Sequence, residues 1–66
     1  MNELLAMSYL KSFADRMWHR SIETGSELAK AFYAAAETIM QSGGNQRAVE
    51  LLEQAKRQGL WRESRE

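Results

Sequence analysis

Two helical patterns meet across Ser42-Gly43-Gly44-Asn45, and this break constrains the fold more than any other stretch of the chain. On its near side the apolar residues from Ala29 recur at steps of three and four, and on its far side they do so again as far as Gln58. Gly43 or Gly44 supplies the left-handed residue that commonly ends a helix, and Asn45 is a good N-cap for the next. So short a link sets two helices side by side and antiparallel.

Upstream, Glu3 to about Ser21 contains no Gly or Pro, and its apolar residues have helical spacing. This predicts a long first helix, 3–21, whose stripe of Leu4, Ala6, Met7, Leu10, Phe13, Ala14, Met17 and Trp18 fills about half the circumference. One neighbouring helix does not cover an arc that wide. The helix therefore packs in the groove between two others, or shares its stripe with a second chain. Leu5 and Tyr9 fall outside the main arc. Thr24 and Glu27 have the spacing of a capping box, with Ser26 as the rival N-cap, and a second helix follows over 26–42. Its apolar face, including Leu28, Ala31, Ala35, Ala36 and Ile39, is rich in alanine, which suits close packing and makes it the expected central helix. The third helix, 46–58, has a narrower stripe of Ala48, Leu51, Leu52 and Ala55. Gly59-Leu60 fits a Schellman end, with Leu60 folding back on the last turn. The chain then reads as one domain, 1–61, with a charged tail, 62–66, expected to fray.

The hairpin from Ala29 to about Leu60 resembles a single tetratricopeptide repeat, a helix–turn–helix unit of about 34 residues. Phe32 stands where that family has its first-helix aromatic, Ala36 at the close crossing, Gly43 at the turn, and Ala48, Leu52 and Ala55 on the second helix's small-large-small pattern. Leu60 stands where the family often has Pro, and Ala35 where it prefers Leu. Residues 1–28 contain no second copy of the pattern. Since repeats need stacked neighbours, the first helix or a second chain takes that place. The resemblance implies a protein-interaction scaffold without catalysis.

Size sharpens the question of partners. A 66-residue chain buries only roughly 60% of the surface exposed when unfolded. Small folds add disulfides, metals or oligomerisation, and with no Cys and no ligand cluster, association is the remaining route. Nine basic and nine acidic residues cancel, so no overall field steers the chain onto nucleic acid or an anionic membrane. Met1-Asn2-Glu3-Leu4-Leu5 carries an acid where a signal peptide is basic, and no apolar run reaches spanning length. These features read as a soluble cytoplasmic protein with no membrane partner.

Candidate sites lie mostly on the first helix. Asp15 and His19 at i,i+4, with Ser12 nearby, have the residue types of acid–base chemistry, but three side chains outside one helix offer no pocket and no oxyanion site. One His and one Asp are also two ligands short of a tetrahedral metal shell. We therefore expect no enzyme, no metal and no cofactor. Lys11, Arg16, His19 and Arg20 are candidate phosphate contacts, with Trp18 as a stacking group. Against this, the charges balance overall. Two Trp, two Tyr, two Phe and four Met exceed what a small helical core readily covers, and these residue types are favoured at interfaces. Leu5, Tyr9, Trp18 and Trp61 are the candidate partner-binding residues.

The expected fold is all-α: a three-helix bundle with a long N-terminal helix packed on a helical hairpin, possibly dimeric. The expected function is non-enzymatic binding of another protein or of itself, as adaptor, chaperone-like cap or inhibitor. A small nucleic-acid-binding regulator using the basic face of the first helix is the alternative.

Overall fold

Gly25-Ser26 and Gly43-Gly44 divide the chain into three helices, α1 Glu3–Thr24, α2 Glu27–Ser42 and α3 Asn45–Arg57. The computed structural model describes residues 3–62, with side chains from residue 5 onward. The fold is an all-α three-helix bundle in which the long first helix packs on the hairpin of α2 and α3. Leu4's expected place in the stripe lies outside the described side chains, and of the expected tail only Arg62, exposed and beyond α3, is described.

The helix ends follow from local hydrogen bonds. α1 runs to Thr24 rather than 21, and side-chain hydroxyls in its last turn bond back to its own carbonyls. Ser21 Oγ donates to the Trp18 carbonyl at 2.8 Å, and Thr24 Oγ1 to that of Arg20 at 2.7 Å. The helix stops at Gly25, whose φ of 68° is unfavourable for any residue with a Cβ. Thr24 is thus committed to α1, and the capping box with Glu27 does not form. Ser26 is the N-cap of α2, its Oγ accepting from the Ala29 N–H at 3.2 Å. Asn45, expected as a cap, is instead the first residue of α3, preceded by Gly44 with no side-chain cap bond. At the other end the Leu60 N–H donates to the Ala55 carbonyl at 2.9 Å and the Gly59 N–H to that of Lys56 at 3.1 Å. These two bonds, with Gly59 at φ 75°, make the Schellman end and turn Leu60 back onto the core.

Packing places α1, not α2, at the centre. It contacts both other helices extensively, whereas α2 and α3 share the smallest of the three contacts. The cause lies in the residue sizes. α1 brings the large side chains Leu10, Phe13 and Met17, all almost fully buried, while α2 and α3 bring Ala29, Ala36, Ala48 and Ala55 alongside Ile39, Leu51 and Leu52. Small residues on two helices let the large ones on the third fill the space between. Phe13 is the hub: its ring stands edge-on to Phe32 at 5.9 Å and to Trp61 at 5.7 Å between centroids. Leu28 and Ala31, expected on the buried face of α2, are exposed. Leu28 lies in the first turn of α2, and at about 100° per residue Ala31 sits roughly 140° around the helix from Ala36.

Candidate interaction surface

The sequence placed Leu5, Tyr9, Trp18 and Trp61 at an interface, and the structure separates them. Trp61 is only 8% exposed. It follows the Schellman turn, so the reversed chain carries its ring into the bundle against Phe13, with Tyr9 at 6.3 Å and the Arg16 guanidinium 5.4 Å from the ring centroid. Trp61 is core, and its assignment as a surface contact is corrected. Its Nε1 is buried with no hydrogen-bond acceptor among the described residues. Tyr9, half-buried beside it, belongs largely to the same cluster.

Leu5 and Trp18 do reach solvent, at 46% and 47% exposure. Trp18 lies on the edge of α1 next to α2, its ring against Tyr33 with centroids 5.2 Å apart and planes tilted by 44°. One turn on, Ile22 is 62% exposed, the most exposed of the large apolar side chains described. Ile22 escaped the sequence reading because it was assigned to the break between helices. The signal was available: Ile22 is i+4 from Trp18, and the only breaker nearby is Gly25. Leu28, 44% exposed at the start of α2, was also missed.

Beside Trp18 an open groove runs between α1 and α2, with Ala14 among its lining residues, Lys11 and Asp15 on one side, and Tyr33, Glu37 and Met40 on the other. The Tyr33 phenol is held above its ordinary value by partial burial and then by the adjacent Glu37 carboxylate. The groove offers apolar rings and a thioether bordered by charges of both signs. The groove is open rather than enclosed.

The basic residues do not form one face. Arg16, His19 and Arg20 line a depression that also holds the carboxylates of Asp15 and Glu23, while Lys11 is in the groove beside α2. Arg16 additionally covers Trp61. Asp15 and His19 approach to 3.6 Å with side chains 74% and 64% exposed, a solvated pair that has little energetic weight. No three His, Asp or Glu come together as a metal-binding group among the described residues, and no described helix is long and apolar enough to cross a membrane.

No family model, curated protein or solved structure matches the chain.

Proposed function

We propose that this chain is a small non-enzymatic interaction module, binding a partner protein or itself through the exposed apolar edge of α1 at Trp18 and Ile22. The observation that carries the reading is the position of these two residues. They are adjacent on one helix face and about half or more exposed, and Trp18 borders a groove walled by Tyr33 and Met40, in a fold whose other large aromatics are wholly or partly buried. Contiguous apolar surface of this kind favours burial against another protein, and aromatic residues and Met are enriched where that happens. The resemblance of α2 and α3 to a tetratricopeptide hairpin points the same way. Action would be steric, by occupying a groove or masking a surface, as an adaptor, chaperone-like cap or inhibitor.

The test compares the native chain with Trp18→Glu/Ile22→Glu as matched baits and in solution mass. The expected result is that a bound protein, or a second copy, is retained by the native chain and lost by the variant, with far-UV helicity equal in both. Equal retention by both chains, or retention by neither, would remove this edge as the working surface.

A further inference from the structure

We infer that the occupant of this edge is a second copy of the chain, with the two α1 helices paired antiparallel across a two-fold axis that passes between Lys11 and Asp15. The inference rests on the interaction reading above and names its partner. Ser8, Lys11, Asp15, Trp18 and Ile22 follow one another along α1 in alternating steps of three and four, so they share one face of the helix, and each of them is exposed. All but Ile22 line the groove beside α2, so a helix laid along this face would also meet Tyr33 and Met40.

Charge and size fix the direction. Lys11 makes no ion pair among the described residues, and Asp15 keeps a largely exposed carboxylate. Antiparallel pairing sets Lys11 of each copy against Asp15 of the other, and the two-fold axis makes that contact twice. One layer outward it sets Trp18 of each copy against Ser8 of the other, the largest residue of this face opposite the smallest, again twice. Parallel pairing in register would instead stack Lys11 on Lys11 and Asp15 on Asp15. The chain's zero net charge leaves no general repulsion between copies to overcome.

Two single variants test this in solution. Lys11→Glu places two acids opposite each other at both symmetric contacts, and Asp15→Lys places two bases there. Each alone should self-associate about tenfold or more weakly than the native chain, as expected for two repulsive contacts replacing two attractive ones. Mixed one to one, they should recover a heterodimer of near-native affinity, because every contact is then between opposite charges. Both positions are exposed, and far-UV helicity confirms that each variant is folded. The inference is overturned if the native chain is monomeric up to about 1 mM, if either variant associates as well as the native chain, or if mixing restores nothing. A monomeric native chain whose bait still loses a partner on Trp18→Glu/Ile22→Glu would retain the interaction reading and remove the self-pairing.

Discussion

The two tryptophans have opposite roles, and this is where the account is most exposed to test. Trp61 packs on Phe13, Tyr9 and Arg16 inside the bundle, so Trp61→Ala removes a large core ring and should cost about 3–5 kcal/mol. A domain this small has only roughly that much to lose, and the variant should be largely unfolded at room temperature, as far-UV circular dichroism would show. Trp61→Phe should cost much less, since the indole N–H has no described acceptor and only packing is given up. Trp18→Ala, at an exposed edge, should change chemical-denaturation stability by under about 1 kcal/mol. Sequence periodicity exposes Trp18 as a residue on the rim of a helical stripe. It says nothing of Trp61, which lies beyond the last helix, where the direction of the side chain depends on the path of the chain after Gly59.

At the scale of the helices, the ends decide what the sequence could and could not reveal. The left-handed glycine at Gly59 and the apolar Leu60 after it make a local motif whose bonds are specified within six residues, so it is readable in advance. The link between α1 and α2 is different: Thr24 and Ser26 are both competent caps, and the choice depends on which hydroxyl bonds backward. Ser26→Ala should therefore cost about 1 kcal/mol, with Thr24→Ala costing clearly less, measured by thermal or denaturant unfolding. The reverse order would restore the capping box that the structure lacks. α1 continues past Ser21 to Thr24 and brings Ile22 onto the helix, a placement the sequence signals only through its i+4 spacing from Trp18 and the absence of a breaker before Gly25. The identity of the central helix was hidden for another reason. Alanine-rich and wide-striped helices both suit a central position, and only packing shows that the large residues of α1 fill the space left by the small ones of α2 and α3.

Across the whole molecule, three helices form a body of 31 × 29 × 17 Å between Cα atoms, thin in one direction. A thin body exposes more surface for its volume than a round one, and association is one way to recover the burial. The groove between α1 and α2 is part of that surface, and its titration has a defined direction. The folded-state value of the Tyr33 phenol is raised, so its neutral form is the one favoured by folding. Its contribution is fully present below the unfolded value near 10 and is lost as the pH climbs through the higher folded value. Stability should thus show no Tyr33-dependent change between about pH 6 and 9, and should fall above about pH 10 less steeply in Tyr33→Phe than in the native chain.

Acrylamide quenching of tryptophan emission, taken across a dilution series with solution mass on the same samples, reads the central claim directly. Dilute samples should contain one quenchable indole, Trp18, and one protected indole, Trp61. As concentration rises and mass doubles, the quenchable fraction should disappear. A quenchable fraction that stays constant while mass doubles would place the contact elsewhere than the Trp18 edge, and two quenchable indoles in a folded monomer would contradict the buried position of Trp61.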